Sequence, residues 1–137
     1  MSVAPLVRRV TVCRKVEAAS GPLGLPYTAR GIETTIRPPV GGAFPYAEQE
    51  LWLFVQYADG QGTHPVRFEL VRQRLETEDP VVAFDLPPVH MTRGRFFVLN
   101  RGYRLALVPF PEPGIYEFRI RCGNNAGCDE IRLEDTA

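Results

Sequence analysis

The sequence predicts an all-β fold: an antiparallel β-sandwich, immunoglobulin-like or C2-like, with about eight short strands. Three observations carry that prediction. Apolar runs are short, and several alternate with polar residues at the two-residue period of a half-buried strand. Thirteen prolines and twelve glycines are spread along the 137 residues and punctuate those runs. No segment carries a helical apolar stripe; only 46–50 and 72–79 read as short helical fragments, too brief to hold without packing.

Taken in order, LVRRVTVCRKV (6–16) is β-branched and reads as the first strand. The turn-rich AASGPLGLPYTARG follows, and IETTI (32–36) is the second candidate. RPPVGGAFPYAEQE reads as a loop from its Pro and Gly content. LWLFVQY (51–57) is apolar on both faces, as expected of a central strand covered on both sides. Leu51, Leu53, Val55 and Tyr57 share one face, with Trp52 and Phe54 on the other. Asp59-Gly60 supplies a turn that needs positive φ, so VRFELVR (66–72) is expected to return beside the preceding strand as a hairpin. VVAFDL (81–86) is expected to stop at Pro87-Pro88. RFFVL and YRLALV (95–108) give one or two strands separated by Asn100–Gly102, and IYEFRIRC and DEIRLED form the last pair.

VPFPEPGIYEFRI (108–120) joins these last elements. Pro109, Pro111 and Pro113 lack N–H donors and cannot continue a central ladder. Gly114 permits a sharp reversal. Tyr116 then falls where a sandwich places its tyrosine corner, ring in the core and hydroxyl on nearby backbone.

Length and composition set bounds on function. One domain spans 1–137, large enough for its own core. Sixteen cations balance sixteen anions, which argues against a dedicated nucleic-acid binder. Fifteen of the cations are Arg, with Lys15 the exception; genome composition explains this better than selection for bidentate recognition. No apolar run reaches the roughly 20 residues of a membrane span, and no signal-like segment follows the start. A cytoplasmic location is expected.

Cys13, Cys122 and Cys128 suit that compartment as free thiols. Cys122 and Cys128 flank GNNAG, which reads as a hairpin loop. A register that buries Tyr116, Phe118 and Ile120 with Ile131 and Leu133 leaves the two thiols unmatched, unless a bulge at Gly127 restores them.

Catalytic patterns are sparse. His64 (GTHPV) and His90 (PPVHM) read as loop positions, and neither has a motif-level nucleophile or zinc-ligand partner. No G-x-S-x-G, P-loop or dinucleotide fingerprint is present; GPLGLP and PVGGAFP lack a following helix. Glu76, Glu78 and Asp79, and again Asp129 and Glu130, read as solvated surface rather than a calcium site. TRGRFFVLNRGYRLALV (92–108) interleaves Arg93, Arg95, Arg101 and Arg104 with Phe96, Phe97 and Tyr103. Balanced net charge favours a core strand with arginine flanks over a single-strand nucleic-acid groove.

The strand with Cys13, GIETTI, LWLFVQYADGQGTHPVRFELVR and the closing VPFPEPGIYEFRI together resemble a family of small bacterial β-sandwich domains of unknown function. The likeness spans nearly the whole chain. It implies a bacterial, cytoplasmic, single-domain sandwich and transfers no functional residue.

The expectation is therefore a non-enzymatic sandwich module acting in protein–protein interaction, with a protein partner or a second copy of itself, and neither nucleic acid nor membrane. Trp52, Phe54 and Tyr57 are the partner-facing candidates, because a two-layer sandwich buries only one face of each sheet. Cover of that second face by a loop of the same chain, such as residues 37–50, is favoured over cover by a partner, and the partner remains the lead for a binding site. No catalytic, cofactor-binding or metal-ligating residue is assigned. The alternatives are a loop-based ligand or metal site near Asp59, His64 and His90, and a hydrolase built on the same histidines.

Overall fold

Two stacked sheets and no helix make up the described part of the chain, residues 2–18, 27–39, 44–92 and 98–135 of a computed structural model. Nine strands are formed: β1 (Leu6–Ala18), β2 (Tyr27–Ile32), β3 (Thr35–Ile36), β4 (Tyr46–Ala58), β5 (Gly62–Gln73), β6 (Glu78–Met91), β7 (Val98–Phe110), β8 (Gly114–Cys122) and β9 (Asn125–Leu133). The first sheet has the order β2-β1-β4-β7 and the second β3-β9-β8-β5-β6. Every pairing is antiparallel except the two-residue match of β3 with β9. No helix among the described residues is long and apolar enough to cross a membrane.

Several strands are longer than expected, and prolines explain why. β6 runs through Pro80, Pro87 and Pro88 rather than stopping at Leu86. It is an edge strand, so a missing N–H can face away from the ladder. Near Pro87 and Pro88 its register with β5 slips between His64 and Val66, opposite Pro65. β7 is likewise one continuous edge strand through Asn100–Gly102, and it carries Pro109 opposite Ala47. Tyr46–Glu50, expected as loop or short helix, is the first part of β4. The fragment at 72–79 is the end of β5 and a turn closed by Arg74 N–H to Thr77 O, 2.9 Å. Residues 19–26, 40–43 and 93–97, which include GPLGLP, Arg93, Arg95, Phe96 and Phe97, lie outside the described residues.

The expected hairpin at 51–72 is not formed. β4 already pairs with β1 on one edge and β7 on the other, so no ladder is left for β5. The Asp59-Gly60 segment, with Asp59 at φ 59°, instead carries the chain across to the second sheet. There β5 lies between β6 and β8.

The core fills the space between the sheets. Leu51, Leu53, Val55 and Tyr57 of β4 meet Val66, Phe68 and Leu70 of β5 and Tyr116, Phe118 and Ile120 of β8. Phe110 packs edge-on to Tyr116 at 5.0 Å, the geometry favoured by ring quadrupoles. Tyr57 and Tyr103, both buried, share one hydroxyl–hydroxyl hydrogen bond of 2.8 Å, and burial pushes both phenols up from their ordinary pKa.

The corner at 110–116 has the expected build. Tyr116 is fully buried, and its hydroxyl donates to Glu112 O at 2.6 Å. Arg72 reinforces it by donating through Nε and Nη2 to Pro113 O, at 3.2 and 2.8 Å. At the other end of β8, Gly123-Asn124 makes a two-residue turn and GNNAG is not a loop. Asn125, Ala126 and Gly127 are already in β9, and Cys122 is opposite Asn125. Cys128 is opposite Arg119, on the other face, so the two thiols cannot bridge; all three cysteines are free.

Candidate functional site

The outer face of β4 was the leading surface in the sequence, and the structure divides it. Tyr57 is not partner-facing: it lies on the core face with Leu51, Leu53 and Val55, wholly buried. Odd-numbered parity along β4 dictates this. Trp52 and Phe54 do face outward, and both are half-buried. They stand between Cys13 and Thr11 of β1 and Arg104 and Gly102 of β7. Beyond Cys13, β1 leaves β4 and pairs with β2. Val16 in that departing half sits directly above Gly102, where an added Cβ would approach it to 2.7 Å. Gly102 thus lets β1 bend over the outer face beside Phe54. The chain itself covers part of this face with β1, while residues 40–43 of the 37–50 segment lie outside the described residues. Trp52 Nε1–H donates to Glu50 at 3.2 Å, and Glu50 also accepts from Arg104 at 2.6 Å.

The histidines are on strands, not loops, and they do not converge. Thr63 is opposite His90 and His64 opposite Val89, so the two imidazoles point to opposite faces of the β5–β6 pair. His90 Nδ1 is 2.6 Å from Thr63 Oγ1. His64 Nε2 lies 2.8 Å from Gln61 O and 3.4 Å from Ser2 Oγ. A carbonyl can only accept, so Nε2 carries the proton in the first contact and cannot also serve Ser2 as a base. Among the described residues no group of three His, Cys, Asp or Glu side chains has metal-binding geometry.

The acidic groups are mostly engaged. Arg119 sits between Glu78 (2.5 Å) and Glu117 (2.7 Å), which hold its guanidinium pKa up and Glu78's carboxyl down. Asp79 pairs with Arg74, and Arg14 bridges Glu33 and Glu48. Glu48 also takes the Tyr46 hydroxyl, which burial and this carboxylate push up to about 12. Asp129, expected as solvated surface, shares its register position and face with Phe118 and accepts from Val12 N at 2.8 Å. Of the arginine–aromatic stretch, Tyr103 is buried and Arg104 is paired with Glu50.

What sequence reasoning missed is the flank where β6 and β7, the edges of the two sheets, come together. Between them lies a cleft of about 200 Å³, lined by Phe68, Val82, Phe84 and residues 106–109. Its lining carries no charged side chain. Phe84 packs on Phe68 at 5.1 Å yet remains 39% exposed, and Leu107 is 67% exposed. Leu107 has φ 52°, a left-handed conformation rare outside glycine, asparagine and aspartate. The cause is a phase change: Tyr103 and Leu105 face the core, and so do Val108 and Phe110. The kink at Leu107 lets one strand bury both sets and turns its own side chain outward. That change of phase was visible in YRLALVPF. A second hollow, about 260 Å³, mixes Thr34, Thr35, Glu130 and Arg132 with Ile115 and Ile131.

No protein family and no curated protein matches this chain. Among solved structures it is similar to a β-glucosidase from Listeria innocua in complex with glucose, at 9% identity and a TM-score of 0.38. The match covers 91% of this chain and 16% of that one, so the chain spans about a sixth of the length of the enzyme. A likeness at that level carries no argument about chemistry, and the fold is an all-β sandwich.

Proposed function

We propose that this chain is a non-enzymatic, immunoglobulin-like β-sandwich module acting in protein–protein interaction through the β6–β7 flank. The observation that supports this reading is the open apolar cleft with Phe84 and Leu107 exposed beside it. Two neighbouring edge strands also leave backbone N–H and C=O groups available to an added chain. The outer face of β4 contributes less, since Tyr57 is internal and β1 overlies part of the rest. The tyrosine corner supports the immunoglobulin-like kinship, and three free thiols suit a cytoplasmic, bacterial setting.

The test is a photo-crosslinking amino acid placed at Phe84, with the same probe at Arg121 on the ion-paired outer face as control. The expected result is a discrete protein adduct, to a second copy or to another chain, from position 84 and none from 121. Equal labelling at both, or none at 84, overturns the reading.

A further inference from the structure

The geometry points to self-association: two copies of this chain pair through the β6–β7 flank, each inserting Leu107 into the other's cleft. This rests on the protein-interaction reading above and names the partner.

Three features favour a second copy. A two-fold interface requires one patch to carry both a projection and its receptacle. Here they adjoin: Leu107 projects at 67% exposure, and the cleft it borders has about 200 Å³. With the axis running along the cleft, β6 of one copy faces β7 of the other. Leu107 then meets the level of Val82 and Phe84, because those residues line the same cleft.

Size suits a weak pair. Edges of 14 and 13 residues are available. At about 3.3 Å per residue and about 10 Å between sheets, they make a strip some 40 Å long. That is about 400 Å² per partner, half of a standard interface and the size of a weak, concentration-dependent pair.

The choice of residue points the same way. Asparagine or glycine would take φ 52° at lower cost and expose no apolar surface; leucine at this position presents a hydrophobic knob from a strained backbone.

Sedimentation equilibrium of the whole chain, from micromolar to near-millimolar, tests the proposal. Wild type should show a monomer–dimer equilibrium, and Leu107→Asn should weaken it by about a hundredfold or more, since both copies lose a buried leucine. Wild type that stays monomeric throughout overturns the proposal, as does a dimer indifferent to Leu107→Asn. Should Leu107→Asn fold poorly, Phe84→Ser must weaken the dimer in its place, and a dimer indifferent to Phe84→Ser overturns the proposal too.

A crosslink tests the register directly. In a Cys128→Ser background, Leu107→Cys and Val82→Cys preparations are mixed and oxidised. A mixed disulfide supports the pairing; its absence overturns it. Monomeric wild type whose position-84 probe still captures another protein defeats self-association alone and leaves the interaction reading standing.

Discussion

The two flanks of this sandwich close in opposite ways. On one, β1 lies against β9, and polar groups of the second sheet reach across to the first. Asp129 accepts from Val12 N at 2.8 Å, and Asn125 Nδ2 donates to Pro5 O at 2.9 Å. Val12 O is taken by Glu33 N at 3.0 Å, so a stretch of β1 whose free edge β2 has not yet reached keeps its backbone satisfied. Gly127 lets the sheets approach so closely that an added Cβ would come within 2.7 Å of Val7 Cγ1. On the other flank, β6 and β7 leave an apolar cleft with a strained leucine at its lip. A closed flank tolerates no added atom, whereas an open one has room to receive something.

The largest effect should separate the two flanks outright. Gly127→Val would force side-chain volume against Val7 and Val10, at a cost of about 3 kcal/mol, the upper range for overpacking a tight contact. Ala106→Val, which adds comparable bulk beside the cleft, should change stability by no more than about 0.5 kcal/mol. Urea unfolding midpoints measure both. Equal losses would mean that the β6–β7 flank is as tightly packed as its counterpart.

Next comes the polar bridge. Asp129→Ala leaves the Val12 N–H without its acceptor and should cost about 2 kcal/mol, the penalty for an orphaned, partly buried donor. Asp129→Asn keeps an acceptor oxygen and should recover most of that loss. If Asn is as damaging as Ala, charge rather than the hydrogen bond holds the bridge.

Tyr116→Phe addresses the corner that feeds β7 into β8. Removing the hydroxyl frees Glu112 O and should lower stability by about 1 kcal/mol, the net worth of one such bond. A change near zero would assign the corner's rigidity to Arg72 and the Pro113 carbonyl instead.

How far these features could be read from the sequence depended on whether the responsible contact was local. The tyrosine corner was legible because three prolines, a glycine and Tyr116 lie within a few residues and act on one another. The alternation of β4 correctly separated Trp52 and Phe54 from the core set. It also placed Tyr57 with that core set, which is why Tyr57 could not face a partner. The hairpin at 51–72 failed because a turn dipeptide fixes local backbone and says nothing of whether the next ladder is free. β6 outran its prolines because only tertiary position makes it an edge. Asp129 looked like solvated surface because its acceptor role depends on Val12, 117 positions away in the chain. The flank itself was half visible: the phase change at Leu107 is in the sequence, but the opposing Phe84 is brought there by the sheet order.

The smallest expected effect has the opposite sign and sharpens the contrast most. Leu107→Asn replaces a residue strained at φ 52° with one that tolerates the left-handed region. The isolated monomer should therefore gain up to about 1 kcal/mol. Dimerisation through the same residue would oppose that gain, since a partner that binds only the folded state raises apparent stability with concentration. The thermal midpoint of wild type should then climb as protein concentration rises while that of Leu107→Asn stays level. The variant would be the more stable when dilute, and wild type would overtake it when concentrated. Parallel curves with no crossing would leave Leu107 as strain that serves only to turn β7, and would remove the reason for a leucine there.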